Sequence, residues 1–539
     1  MFKKNVQTMP RQQKLIDAII IGGGHNGLVC AYYLAKKGLK VNLYEKRSIV
    51  GGAAVTEEFH PGFRNSVASY TVSLLNPAII QEMNLKEYGL EIAKRPISNF
   101  LPLDQTTYLK LGGGLERTQE EFRKFSKKDA EQLPEYYDRL EAVADVLRDL
   151  SIKTPPNPKQ GLRAALDTAL QLWPIATKGN QVHKDVYNLL TKSARSFLDS
   201  WFESEHVKAA FGFDSIVGNF ASPDTPGSAY VLLHHVFGEV NGEKGAWGHA
   251  MGGMGAITQA MEKACREKGV KIFTDASVNK VIIEDGVAKG IQLENGDLIK
   301  GKRIVSNLNP KLLYKKLISE NELDPEFNRS MDGYKCGSGT FRMNVALSEL
   351  PDFLALPGKE MAEHHQSGIV IAPTLDYMDK AYLDAKSDGW SKEPIIEILI
   401  PSTLDSSLAP EGKHVASLFC QQFSPALPDG SSWHDHRLSA ADTIIETVTK
   451  HAPNFRESIL GMMILSPLDL EEKFGLIGGD IMHGQMSLDQ LWAARPLMNY
   501  GNYRGPLKSL YMCGSGTHPG GGVTGLPGKN AAREILKDG

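Results

Sequence analysis

Short, unbroken apolar runs alternate along this chain with stretches whose apolar residues recur every three or four positions. The two patterns predict different elements. "DAIII" (17–21) is a β-branched run suited to a buried parallel strand. It leads directly into Gly22-x-Gly24-x-x-Gly27, after which Leu28, Ala31, Tyr32 and Ala35 recur at helical spacing until Gly38 supplies a stop. "KVNLYE" reads as a second strand ending at Glu45. Some two hundred residues later, Gly252–Val270 is a glycine turn opening an amphipathic helix. A strand continuing the first sheet follows, then alternating apolar runs separated by Asp285–Gly286 and Asn295–Gly296. Those pairs predict a three-stranded antiparallel meander, and "RIVSN" a return strand. Near the end, "SLYMCGSG" is one more buried strand and "GLPGKNAAREIL" a closing helix.

The remaining pattern predicts something different. Residues 118–215 read largely as amphipathic helices, and "EPIIEILIPSTL" and "HVASLFCQQFSP" as strands of a second sheet. "PPNPKQGLRAALDTALQLW" sets Leu162, Leu166, Leu170 and Trp173 near one helical face. We read it as an ordinary core-facing helix, because its polar face is not notably basic; a membrane-surface helix is the alternative.

The first strand, fingerprint, helix, second strand and terminal acid occur in the order that dinucleotide binding requires. The glycines give a tight turn, close approach to a pyrophosphate and close helix packing, while the helix N-terminus directs free N–H groups at phosphate. Glu45 lies 18 residues past Gly27, placed to accept from both ribose hydroxyls, and an acid there disfavours NADP. An NAD domain should continue with a second helix and third strand. Instead an irregular segment with the Gly51–Gly52 pair follows, suited to lying against an extended cofactor. Seven glycines between Gly514 and Gly528 suggest that the C-terminus closes on the same ligand. FAD fits better than NAD.

The stretches "GGGHNGLVCAYYLAKKGLKV", "VGGAAVTEEFHPGFRNSVASY", "GGMGAI", "HGQMSLDQLWAARP" and "YMCGSGTHPGGGVTGLPGKNAA" together resemble the phytoene desaturase-like family of FAD-dependent oxidoreductases, related to flavin amine oxidases. The resemblance implies an α/β fold: a Rossmann-type, glutathione reductase-like FAD domain with the three-stranded β-meander, interrupted by an α+β substrate domain. The expected division is 15–75, 246–308 and 504–539 for FAD, 76–245 and 309–503 for substrate, and a flexible tail at 1–14. FAD would be held by Gly22, Gly24, Gly27, Glu45, Lys46, Gly51, Gly52, Ala53, Val278 near the adenine, Gly514, Gly516, Gly522, Val523 and Thr524. His518, with His483 and Gln485, is the candidate beside the flavin ring. The implied activity passes a hydride equivalent from a lipophilic, carotenoid- or isoprenoid-like substrate to flavin N5. A carotenoid ketolase, a redox-neutral flavin isomerase and a non-catalytic FAD-binding regulatory protein are the rivals.

Composition narrows this further. Net charge is −3 with 23% charged residues, so no global field attracts nucleic acid. Five scattered cysteines without a CxxC read as reduced thiols in an intracellular protein and give a disulfide reductase no dithiol. No apolar run reaches the roughly 18 residues of a membrane span. We expect a cytoplasmic protein, mitochondrial if eukaryotic, with peripheral membrane contact, electron acceptor and oligomeric state left open. His434 and His436, and likewise His364 and His365, are read as exposed loop histidines, with no metal site expected.

Overall fold

The computed structural model describes residues 15–538; the tail expected at 1–14 lies outside them. Five strands, β1 (Ala18–Ile21), β2 (Val41–Tyr44), β3 (Lys271–Phe273), β4 (Ile304–Ser306) and β5 (Leu510–Met512), form one sheet in the order β3-β2-β1-β4-β5. All its pairings are parallel, with Ile20 opposite Leu43, Ile19 opposite Ile304 and Val305 opposite Tyr511. Thus three widely separated stretches of chain meet in one layer. Strands β1, β4 and β5 are buried on both faces, as their apolar runs require, while β3 leaves Lys271 and Phe273 exposed at the edge.

Three helices, α1 (His25–Lys36), α2 (Gly255–Glu267) and α3 (Leu526–Ile535), pack on one side with Leu28, Leu34, Ile257, Met261, Ala531 and Ile535 in a common core. Gly528 lets α3 lie directly on α1, since a Cβ there would stand 2.2 Å from the Asn26 carbonyl oxygen. The predicted meander is present as Val278–Glu284, Val287–Leu293 and Leu298–Lys300 and packs on the other side.

A second, mixed sheet has seven strands in the order Ile459–Leu465, Phe341–Leu347, His414–Phe423, Trp390–Leu399, Gly368–Ile371, Asn99–Pro102 and Tyr108–Leu111. Helices between Leu115 and Gly212 cover one face, and Trp433–His451 covers the other.

Three local expectations are corrected. The segment carrying His434 and His436 is the first turn of the helix Trp433–His451, because the Ser432 hydroxyl caps the His434 N–H. His364 and His365 are buried, not exposed: His364 packs among Phe100, Phe353 and His365, and the His365 ring donates to the Pro351 carbonyl. The helix Leu162–Ala176 forms, but its apolar stripe does not face a core: Leu162 is 87%, Leu166 66%, Leu170 71% and Trp173 66% exposed. Helical periodicity defines the stripe, not the surface it meets.

Deleting everything after Ser509 would strip β5 from the sheet edge and α3 from α1. We expect an insoluble, colourless product; a soluble truncation that keeps full flavin, measured by absorbance, would contradict this role for the C-terminus.

Candidate active site

The loop from β1 to α1 forms the floor of a cavity of about 570 Å³. Gly24 begins α1 in extended conformation, with no side-chain cap and no acid in the first turn. The first N–H groups therefore remain available to an anionic ligand. Gly27 keeps the turn tight, since a Cβ there would lie 2.3 Å from the Gly22 carbonyl oxygen. Beside it, Gly51 donates to the Gly23 carbonyl at 2.8 Å, so the Gly51–Gly52 pair lies directly against the fingerprint.

Glu45, at the end of β2, is buried and accepts from the Gly23 N–H at 2.7 Å and the Arg47 N–H at 3.0 Å. Its carbonyl accepts from Ala276, which delivers Val278 to the same wall. Lys46 and Ala53 also line the cavity, and burial lowers the Lys46 pKa.

From the C-terminal segment, Ser515, Gly522 and Val523 reach the cavity. Gly514, Gly516 and Thr524 do not line it. A Cβ at Gly514 would stand 2.7 Å from the Asn307 carbonyl oxygen and one at Gly516 2.5 Å from Pro310, while the Thr524 hydroxyl accepts from Leu526 N–H at the start of α3. These residues shape the loop from behind.

His518 lines neither this cavity nor its neighbour. It is buried, donates from Nε2 to the Leu150 carbonyl at 3.0 Å, and has its pKa lowered to about 4 by burial. Its place is therefore a seam between the C-terminal loop and the long helix Lys127–Ser151. Gln485 is also absent from the wall, but His483 is part of it. His483 has φ +59° and a pKa near 4, lowered by burial and then by Arg495. Opposite it, burial and His483 hold His25 near 3.

Sequence reasoning missed Arg495, a lone arginine within a motif. It is fully buried and donates to the carbonyls of Met482, Gly484, Gln485, Gln490 and Ser515. This ties the His483 loop to the C-terminal glycine segment. Asp480 completes the loop by accepting from the N–H groups of Gly337, Met482 and Gly484.

A second cavity, of about 630 Å³, shares Tyr70 and Trp247 with the first. Tyr136, Phe211, Leu232 and Val236 contribute apolar lining, and Arg95, Asp214 and Glu397 are ionisable groups on its wall beside Lys94, Glu141, Glu243 and Lys244. Tyr70 donates its hydroxyl to Glu397 and stacks on Phe419, while the Arg342 guanidinium lies 4.4 Å over the Tyr70 ring. Burial pushes the pKa values of Asp214, Glu397 and Tyr70 up.

The first cavity suits an elongated dinucleotide. Besides the uncapped helix N-terminus, its lining residues contribute buried polar atoms without a protein partner: His25 Nε2, Asn26 Oδ1 and His483 Nδ1. A ligand that bonds them would remove the cost of leaving them bare.

Residues 27–340 match the family model for flavin-containing amine oxidoreductases. The chain belongs to that family. It is 40% identical over 543 residues to pyridine nucleotide-disulfide oxidoreductase domain-containing protein 2 of Rattus norvegicus, spanning 97% of this chain and 93% of that one. It is 25% identical to one subunit of the limonene dehydrogenase of Castellaniella defragrans over 97% of this chain and 95% of that protein. The phytoene desaturases are also relatives, as their motifs suggested. Among solved structures, putrescine oxidase bound to putrescine superposes with a TM-score of 0.60 at 14% identity, covering 97% and 98% of the two chains.

Family membership makes the protein an FAD-dependent oxidoreductase and FAD its cofactor. On this geometry the α1 N-terminus and Gly24 would hold the pyrophosphate, Glu45 the ribose, and His25, His483 and Ser515 the portion beyond.

Gly24→Val would set a Cβ 2.7 Å from Asn307 Nδ2 and branch it into the phosphate path. We expect folded, colourless protein, checked by absorbance after gel filtration; full flavin retention would remove Gly24 from the cradle.

His518 gives a pH prediction. Its folded pKa, about 4, lies below the ordinary 6.5, so the unfolded chain takes the proton first. Its contribution is complete above pH 6.5 and is lost as pH falls toward 4. His518→Gln keeps a donor for Leu150 but does not titrate, so its Tm should fall less than that of wild type across this window. Parallel Tm profiles would contradict the assignment.

Proposed function

We propose that the protein is a dehydrogenase or oxidase that removes a hydride equivalent from a mostly apolar, isoprenoid-like substrate bound in the second cavity. The observation carrying this reading is the common wall: Tyr70 and Trp247 border both chambers, so a ligand in one lies beside a ligand in the other. FAD, when bound, supplies the hydride acceptor. The chain supplies orientation and dryness. Tyr136, Phe211, Leu232 and Val236 would hold an apolar body, and Arg95 with Glu397 would meet one polar end.

The name of one relative, a component of a limonene dehydrogenase, supports an isoprenoid hydrocarbon class. We assign substrate binding to 76–245 and 309–503, because most of the chamber comes from the first stretch and Glu397 from the second. The electron acceptor is taken to be something other than a nicotinamide nucleotide, since the sequence carries no second nucleotide fingerprint.

Anaerobic mixing of the holoprotein with a panel of isoprenoid alcohols, aldehydes and hydrocarbons tests this reading. We expect at least one to bleach the flavin with saturation, while NADH and NADPH reduce it slowly and without saturation. Turnover without net oxidation would favour the isomerase, oxygen insertion the ketolase, and no response to any compound a regulatory flavoprotein. Rapid saturating reduction by NADH or NADPH would overturn the assigned electron flow.

A further inference from the structure

The helix Leu162–Ala176 leaves a stripe of large apolar side chains uncovered. Leu162, Leu166, Leu170 and Trp173 recur at i, i+4, i+8 and i+11, which places them on one face, and each is at least 66% exposed. The side turned inward carries Ala164, which is buried, the half-buried Thr168, Leu172, Pro174 and Ile175, and Gln171, whose side-chain amide donates to the Thr154 carbonyl at 2.8 Å. A globular helix normally buries its apolar stripe and exposes its polar one. Here one side is partly covered by the protein, and a stripe of large apolar residues is left facing outward.

The charge around this face narrows what can cover it. Between residues 159 and 184 stand Lys159, Arg163, Lys178 and Lys184, against Asp167 as the single acid. Lys159 bonds the Tyr500 hydroxyl, and among the described residues no ion pair engages Arg163, Lys178 or Lys184. This local excess is opposite in sign to the net charge of −3. A second copy is a poor occupant: antiparallel pairing would set Arg163 against Lys178, and parallel pairing would set each against itself. An anionic surface complements both ends.

The helix's 15 residues span only about 22 Å and cannot cross a bilayer. No helix among the described residues is long and apolar enough to do so. An exposed tryptophan beside leucines, with basic residues at the ends, suits the headgroup–acyl boundary instead.

We propose that Leu162–Ala176 docks the protein on an anionic lipid bilayer, lying in the plane of the interface with Leu162, Leu166, Leu170 and Trp173 inserted and Arg163, Lys178 and Lys184 meeting headgroups. This stands apart from the substrate assignment, since it rests on the outer face of one helix and not on either cavity.

Cosedimentation of the full-length holoprotein with vesicles tests it. Vesicles of phosphatidylcholine alone are compared with vesicles containing phosphatidylglycerol, at low and high salt. Wild type should bind the anionic vesicles, and more weakly at high salt. The double variant Leu166→Asp/Leu170→Asp should reduce partitioning at least about tenfold, the loss expected when several inserted methylenes are removed. Arg163→Glu/Lys178→Glu should abolish the preference for anionic lipid. Because all four side chains are exposed, both variants should keep wild-type flavin content and Tm, measured in parallel. No wild-type binding, unchanged binding by the aspartate variant, or binding indifferent to lipid charge would overturn the proposal. A dimer seen by light scattering that the aspartate variant dissolves, without lipid binding, would assign the face to a second copy instead.

Discussion

The flavin cavity depends on one buried guanidinium. Arg495 has no carboxylate partner among the described ion pairs and is fully enclosed, a placement that is costly unless its donors are satisfied. Five backbone carbonyls satisfy them, four from residues 482–490 and one from Ser515. Irregular backbone on both sides of the cavity is thus held by one rigid, planar fork of donors. Lysine, with a compact ammonium and three donors, could not span the same set. His483 and the C-terminal glycine segment owe their positions to that clamp.

The two chambers divide the chemical labour. The first offers backbone N–H groups, glycine surfaces and Glu45, features that recognise a polar, anionic and extended ligand. The second is lined by aromatic and aliphatic side chains such as Tyr136, Phe211, Leu232 and Val236, together with Arg95, Glu397 and the ion-paired Lys94–Glu243 and Lys244–Glu141. Tyr70 stands between them, with its ring stacked on Phe419 and beneath Arg342 and its hydroxyl committed to Glu397. Burial raises the pKa of both the phenol and the carboxyl, and the phenol donates to the carboxyl. A wall held this way keeps a fixed shape.

How far the sequence could be read depended on the range of the forces involved. Glu45 was legible because strand, fingerprint and acid are close in sequence, and the same local physics sets the turn, the uncapped helix start and the second strand. The meander was legible from Asp285–Gly286 and Asn295–Gly296, where short-range turn chemistry decides the pairing. His518 was placed at the ring on the strength of its neighbours in sequence. The structure turns it to Leu150, a residue 368 positions away that no local pattern could indicate.

By itself the sequence determined the parallel strands, the glycine fingerprint, the apolar stripes and the residue types available to bind a dinucleotide, because local backbone geometry and periodicity govern these. Only the tertiary structure decided which faces meet. It buried His364 and His365, gathered five distant carbonyls around Arg495, moved Gly514 and Gly516 behind the cavity wall and left the stripe of Leu162, Leu166, Leu170 and Trp173 facing outward. A stripe or a ring carries the same local signal whatever covers it, and what covers it is fixed by contacts hundreds of residues apart.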